Sequence, residues 1–549
     1  MVPPMPSHPL RRAGSCLVLT ACAVLACQSA EEYRDEADEE VYALVQARRA
    51  ELFGDALPFT IEPAADSLRQ RLLRGEAAIV GPLSLLDCLE IAAENSRDYQ
   101  DQRESLYLTA LDLTLAQWEF RTHWDATLSG SVTGDGEGAQ RAEMAGAVIL
   151  ERMLGTGMQI VSSLGSSLFR LLSTGDGWDA LSSIGLSVTQ PLLRGSSPEI
   201  VLEPLTAAQR DLVYEVRAYE RFRRTFAVDV ATRYFRVIQA MDALENERQN
   251  AAALTDLRVR NEALAAAGRV NDIELDQARQ DELRSENRLI ELEQGLQAQL
   301  DDFNFFLGLP VETPIELDPT EVERQSVDVE QPPPAVAAED ALSRYALDHR
   351  LDYANTEGQV RDAERQIRIA ADALRAGLDL EASVNATSEE GRPAGFRSAN
   401  LPWSAGFTLD LPVDQLPERN VYRASLVALE AAWRGLESLG DSIRSSLRDS
   451  MRQVQTNQEQ YVLQLDAVVL AERRVLSASL NLQAGRSSTR DVLEAQSDLL
   501  TAQNALTAAR IDLLLAWLSF FNQLELLTVD ETGIVLDNGA LQPLLSEGA

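Results

Sequence analysis

The stretch LESLGDSIRSSLRDSMRQVQTNQEQYVLQLDAV, from Leu436 to Val468, decides the fold class. Its apolar residues Leu436, Leu439, Ile443, Leu447, Met451, Val454, Tyr461, Leu465 and Val468 stand three, four or seven positions apart. Steps of three and four, sustained over several heptads, place these side chains on one stripe of a helix and predict coiled-coil packing. Working outward, the pattern fills about 417–483. A second such segment, about 199–266, carries Val216, Tyr219, Phe226, Val230, Val237, Met241 and Leu244 on its stripe. At ~1.5 Å per residue each is a rod about 100 Å long, more than a globular domain needs. Gly268 and Gly485 follow the rods, and glycine readily takes the left-handed conformation that ends a helix. Helical segments at about 272–307 and 490–521 then complete two antiparallel hairpins.

The other ends of the rods lead into strands. Leu128, Gly130 and Val132 alternate with Thr127, Ser129, Ser131 and Thr133, and Ile184, Leu186 and Val188 alternate with Gly185, Ser187 and Thr189. Downstream, Leu380, Ala382, Val384 and Ala386 alternate with Glu381, Ser383, Asn385 and Thr387. Ala405, Phe407, Leu409 and Leu411 alternate with Gly406, Thr408 and Asp410. A period of two, apolar on one side and small or polar on the other, predicts a sheet whose faces meet different surroundings. Trp118, Phe120, Trp124 and Trp403 stand near the strand ends, where both an interfacial girdle and ordinary packing accommodate aromatics.

Self-comparison reveals a repeat. At a shift of 254, Asp98-Tyr99 meets Asp352-Tyr353, Arg121 meets Arg375 and Asp125 meets Asp379. Further on, Ala267-Gly268-Arg269 meets Ala484-Gly485-Arg486 at a shift of 217. The first copy therefore carries extra residues, and Pro191 against Pro412 confines them to about 135–185. They include Ala145-Gly146-Ala147-Val148-Ile149-Leu150 and are expected either to extend the strands or to form an external loop.

Composition narrows the function classes. Apolar residues make up 45% and charged residues 25%, which is a folding composition. Acids outnumber bases 86 to 49, for a formal charge of −37. Nucleic-acid binding needs a basic surface and is excluded on that count. Three histidines and four cysteines leave little for nucleophile–histidine or metal chemistry, and neither a cofactor nor an enzymatic activity is expected.

The amino terminus reads as an address. Arg11 and Arg12 precede an apolar run from Cys16 to Ala26, and no acid appears before Glu31. This has the form of a secretory signal and is too short to cross a bilayer as a helix, which takes ~20 residues. Leu25-Ala26-Cys27 and Thr20-Ala21-Cys22 both resemble a bacterial lipobox, with Cys27 favoured for lipidation and Cys22 the alternative. Removing residues 1–26 takes away two arginines and no acid, so −37 becomes −39. With Cys27 acylated only Cys88 remains, and no disulfide forms within the chain. No transmembrane helix is expected, since the most apolar later stretch, 511–527, carries Asp512, Asn522, Gln523 and Glu525. The only spanning candidates are the strands. Strands persist in lipid when a barrel closes, and the smallest membrane barrels have about eight. Four strands cannot close, so the chain either assembles with copies of itself or folds them as a soluble sandwich.

The order of elements resembles the outer membrane efflux protein family, the TolC-like exit ducts of Gram-negative bacteria, in its lipoprotein form. The matching residues are Leu83-Ser84-Leu85-Leu86-Asp87-Cys88-Leu89, Ser187-Val188-Thr189-Gln190-Pro191-Leu192, Leu307-Gly308-Leu309-Pro310, and Gly485 followed by Asp491-Val492-Leu493-Glu494-Ala495-Gln496. The resemblance implies a mostly α fold with a small β part. Long coiled-coil hairpins form two repeats, and four strands per chain contribute to a trimeric twelve-stranded barrel. It divides the chain into a signal peptide (1–26), a lipid-anchored extension (27–80), a first repeat (81–316), a linker (317–336), a second repeat (337–528) and a tail (529–549). Its strands are expected at about 124–190 and 379–411.

By the same resemblance the protein is a homotrimeric duct in the outer membrane with a periplasmic helical tunnel. It passively conducts substrates delivered by an inner-membrane pump and a periplasmic adaptor. Asp491 and Glu494 match the acidic residues that ring the pore constriction, and Gly268, Arg269, Gly485, Arg486 and Arg490 mark the tips where adaptor hairpins dock. Rings of carboxylates favour cations. Read without the family, acids at this place are an ordinary helix start. The family's basic residue two positions past the tip glycine is here Ser487. The competing reading is a lipid-anchored periplasmic scaffold or adaptor without a channel, which leaves the paired strands unexplained. An exported hydrolase finds no support around His123 or His349.

Overall fold

The computed structural model describes residues 29–54, 58–62, 66–134, 140–171, 178–324, 338–389, 391–396, 401–530 and 533–546. Cys22, Cys27 and the run Pro332-Pro333-Pro334 lie outside the described residues. The principal elements of the first half are α1 (Ala30–Phe53), α2 (Leu85–Asn95), α3 (Arg97–Trp118), β1 (His123–Gly134), β2 (Gln140–Met153), β3 (Gln159–Leu171), β4 (Asp179–Pro191), α4 (Glu203–Ala266) and α5 (Asp272–Leu307). The second half continues with α6 (Glu339–His349), α7 (Leu351–Ala373), β5 (Gly377–Thr387), β6 (Trp403–Asp410), α8 (Leu416–Gln483), α9 (Thr489–Gln523), β7 (Leu527–Asp530), β8 (Gly533–Leu536) and α10 (Asn538–Ser546). The class is mostly α with a small β part.

The same succession of elements occurs twice. The pairs α2/α6, α3/α7 and β1/β5 each start 254 residues apart, whereas α5 and α9 start 217 apart. The surplus in the first copy is β2 and β3, a hairpin threaded into the sheet between β1 and β4. The sheet runs β1-β2-β3-β4-β5-β6 with every neighbour antiparallel. The expectation of four strands per chain in this sheet is corrected to six among the described residues. The hairpin escapes a period-two reading for a physical reason. Ala145, Ala147 and Ile149 share the face that is otherwise polar, and Ser162-Ser163 and Ser166-Ser167 place serine on both faces.

The chain gathers into two compact units. One takes residues up to Thr60, Ser105–Val216 and Ala371–Leu416; the other takes Ile61–Glu104, Arg217–Ala370 and from Pro417 onward. Each repeat contributes to both.

The first unit holds the sheet. Among the described residues its edges β1 and β6 have no strand partner on their outer sides. Trp124, Leu128 and Val132 on β1, Leu164 on β3, Leu186 on β4, and Trp403 and Phe407 on β6 project from one face, and all are exposed. The lower rim is tied by Arg194 to Asp410 at 3.0 Å and by the Gly195 N–H to Asp372 at 2.7 Å. The same unit gives form to the acidic amino-terminal extension. Ser29 and Glu32 close a capping box that starts α1, and Val41 and Val45 are buried. Tyr42 packs edge-on against Phe59 and Tyr107, whose hydroxyl donates to Asp38 at 2.7 Å.

The second unit contains the main core. Cys88, Ala92, Val230, Tyr234, Phe235, Phe303, Leu447, Trp517, Phe520 and Phe521 pack in one cluster. Each large side chain buried there contributes roughly 1.5–3 kcal/mol. Burial pushes the Cys88 thiol far above its ordinary range, with Asp87 and Glu321 adding to the effect. The helix α9 is long and apolar enough to cross a bilayer, yet half of that window is buried, and its last turns carry Trp517, Phe520 and Phe521. It is a core helix by packing.

Three of the sequence motifs have visible causes. Ser84 and Asp87 close the capping box that starts α2, with the Ser84 N–H donating to Asp87 at 2.8 Å. Gln190 donates its side-chain amide to the Thr156 carbonyl at 3.0 Å, bracing the end of β4. Gly308 takes φ +80°, and a Cβ there would collide with the Asn95 carbonyl oxygen. Glycine alone fits both demands. Arg221 and Arg224 close on the buried carboxylate of Glu525, which itself sits at φ 58°. Arg221 also lies 3.4 Å from Asp352, and Arg350 joins Asp352 at 2.6 Å. The tail, unpatterned in sequence, forms the β7–β8 hairpin and α10, with Leu541 fully buried.

Candidate functional site at the helical turns

The two glycine turns share one construction. At the first, Gly268 takes φ +70°, its N–H donates to the Ala265 carbonyl at 2.9 Å, and the Arg269 N–H donates back to Leu264 at 2.9 Å. At the second, Gly485 takes φ +65°, its N–H donates to Leu482 at 3.0 Å, and the Arg486 N–H donates to Asn481 at 2.8 Å. These are the paired bonds of a Schellman ending, which satisfy the last carbonyls of α4 and α8. Each following helix is capped: Asn271 accepts from the Glu274 N–H at 2.8 Å, and Ser488 caps α9.

Within the second unit the turns are bolted together. Thr489, fully buried, accepts from the Asn261 side-chain amide at 3.0 Å and donates to Glu274 at 3.3 Å. Leu257, Leu482 and Val492 form a small apolar cluster beneath. Gly268, Arg269, Gly485, Arg486 and Arg490 are all exposed around this point. Among the described residues neither Arg269 nor Arg486 forms an ion pair. Both guanidinium groups are presented to solvent.

Asp491 and Glu494 are exposed on α9, and Val492 and Ala495 are buried on its opposite side. Asp491 completes the helix cap, accepting from the Ser488 N–H at 2.8 Å and the Ser488 hydroxyl at 2.9 Å. Those bonds, with help from Arg490 and Arg474, hold its carboxyl below the usual aspartate value. Glu494 accepts from Arg474 of α8 at 2.8 Å, and the same guanidinium closes on Asp498. The motif thus becomes a stripe, Asp491, Glu494 and Asp498, three carboxylates against one arginine. Asp498 and Arg474 were missed in the sequence. The spacing of four from Glu494 to Asp498 was available as a signal; the pairing across two helices was not. Arg490, Glu494 and Asp498 line a shallow open groove whose far wall is Gln277, Arg284 and Ser285 of α5. Among the described residues no group of three His, Cys, Asp or Glu side chains is placed to hold a metal ion.

Residues 342–523, which include the second turn and the acidic stripe, match the family model described as outer membrane efflux protein. The match spans about a third of the chain. The chain's fold is shared with solved outer membrane channel proteins. CusC, described in connection with folding and transmembrane channel formation, superposes with a TM-score of 0.61 at 15% identity, covering 85% of this chain and 96% of that one. The outer membrane protein VceC of Vibrio cholerae gives 0.58 at 16% identity, covering 80% and 95%. The open state of the MtrE outer membrane channel of Neisseria gonorrhoeae gives 0.58 at 15%, covering 80% and 88%. No curated protein matches the sequence. The turn at Gly485 and the stripe on α9 fall inside the matched residues, whereas the turn at Gly268 lies before them.

Proposed function

We propose that the protein is an outer-membrane exit duct of a tripartite efflux or type I secretion system, passively conducting substrates from periplasm to exterior. One observation carries the reading: a six-stranded sheet with an exposed apolar face and two edges that are unpaired among the described residues. In water such a surface invites aggregation. Surrounded by lipid and closed by sister chains, it is a wall. The efflux-protein match and the similarity to outer membrane channels support the same conclusion. Three copies form the duct, anchored by an acylated Cys27, with Cys22 the alternative. Asp491 and Glu494, repeated by the three chains, ring the constriction and favour cations. The turns at Gly268-Arg269 and Gly485-Arg486, with Arg490, receive the hairpins of a periplasmic adaptor that connects to an inner-membrane pump.

Carbonate washing of membranes from cells making a Cys22→Ser/Cys27→Ser double variant tests the duct reading. A barrel remains in the membrane; a lipid-anchored scaffold is released. For the anchor, fatty-acid labelling is expected to disappear in Cys27→Ser and to persist in Cys22→Ser. The reverse pattern moves the anchor to Cys22.

A further inference from the structure

We infer that all six strands of each chain belong to the membrane wall, so that three copies close an eighteen-stranded barrel, with β1 of one copy pairing with β6 of the next. The number three rests on the duct proposed above; the six strands do not.

The inserted hairpin is paired along its length on both sides. The β1–β2 ladder runs from His123 opposite Glu151 to Gly134 opposite Gln140, and the β3–β4 ladder from Gln159 opposite Thr189 to Phe169 opposite Asp179. One cross-strand row passes from edge to edge: Trp124, Leu150, Ser162, Leu186, Val384, Trp403. It begins and ends on exposed tryptophans, 56% and 75% accessible. The next row, on the opposite face, is His123, Glu151, Val161, Ser187, Ser383, Ser404. The hairpin adds Met144, Leu150, Leu164 and Leu168 to the exposed apolar side, the side that Leu128 and Phe407 occupy on the edge strands. An external loop has no reason to keep ladder register with the wall it leaves, as this hairpin does on both sides. With the hairpin in place, β1 and β4 stand three strand spacings apart, about 14 Å. A four-stranded wall with β1 beside β4 is incompatible with that arrangement. Six strands cannot close alone, since the smallest membrane barrels have about eight. The remaining partner for each open edge is the opposite edge of a second copy.

Cysteine pairs in the full-length protein, oxidised in native membranes, test this. Cys88 is buried and contributes no background. Ser383→Cys/Ser404→Cys is the control for folding and oxidation, because these hydroxyls lie 2.9 Å apart on β5 and β6. Two edge pairs, Ser129→Cys/Ser404→Cys and Ser131→Cys/Thr408→Cys, sample the unknown register between copies. At least one is expected to give a cross-linked ladder that ends at three chains. Thr127→Cys/Ser183→Cys, which places thiols on β1 and β4, is expected to give no bridge within a chain, since a disulfide needs Cα atoms within about 7 Å. A bridge in that last pair overturns the six-stranded wall and leaves the duct standing. A ladder ending at two chains overturns both the eighteen strands and the three-chain duct. No bridge between β1 and β6 in either edge pair, with the control fully oxidised, overturns the proposed closure.

Discussion

Asp491 serves its helix before it serves any pore. Its carboxylate closes the cap over Ser488 and is held below its ordinary pKa by those hydrogen bonds. The sign follows from the direction: a depressed pKa contributes stability that is complete above the ordinary aspartate value and is lost as pH falls through the lower one. The charge of Asp491 therefore outlasts that of a free aspartate on acidification. In planar bilayers, Asp491→Asn/Glu494→Gln is expected to lower cation preference; unchanged selectivity removes both residues from the constriction. Arg474→Gln is the complementary change. It frees Glu494 and Asp498 from their shared guanidinium, and cation preference is expected to rise. A fall, or no change, places the stripe away from the ion path.

At the scale of elements, legibility followed periodicity. The heptads of α8 and the alternation of β1, β4, β5 and β6 were readable because one side of each element is consistently apolar. The hairpin β2–β3 was not, because small residues and serine populate both of its faces. The tail was unreadable for a different reason. β7, β8 and α10 are short and take their order from packing on the core. Capping chemistry was written in the sequence at Ser84 and Ser488, but the reason for Gly308 was not, since it depends on Asn95 more than two hundred residues away. Gly308→Ala meets that carbonyl and forces a left-handed φ on alanine. Folded yield is expected to collapse, whereas Gly295→Ala, in open space on α5, is expected to fold normally. Glu525 is likewise a long-range device. Glu525→Gln leaves Arg221 and Arg224 facing a neutral group in a largely buried site. Breaking such a pair costs about 3–5 kcal/mol, read as a lowered midpoint of thermal unfolding. An unchanged midpoint contradicts the assignment. The neighbouring Asp352 adds a pH dependence: burial raises its pKa, but the Arg350 hydrogen bonds and the charges of Arg221 and Arg350 bring it below the ordinary value. The stability it lends is present above that ordinary value and disappears as pH falls through the depressed one.

The whole molecule is an incomplete object. Its helices supply the coiled-coil stripe that the sequence announced, and its sheet supplies a wall with two open margins. Two duplicated halves build it, and each gives residues to both compact units. The sequence alone carried the apolar and polar alternation but not the identity of neighbours in the sheet, because pairing joins residues as distant as Leu186 and Val384. The count of strands, and with it the width of any barrel, emerges at this scale. Barrel diameter grows roughly linearly with strand number, so eighteen strands give a duct about half as wide again as twelve. Light scattering of the purified protein, with and without detergent, reads whether one chain can stand alone. Three chains are expected in detergent micelles, and aggregation once the detergent is withdrawn. A folded, monodisperse single chain in plain buffer contradicts that expectation.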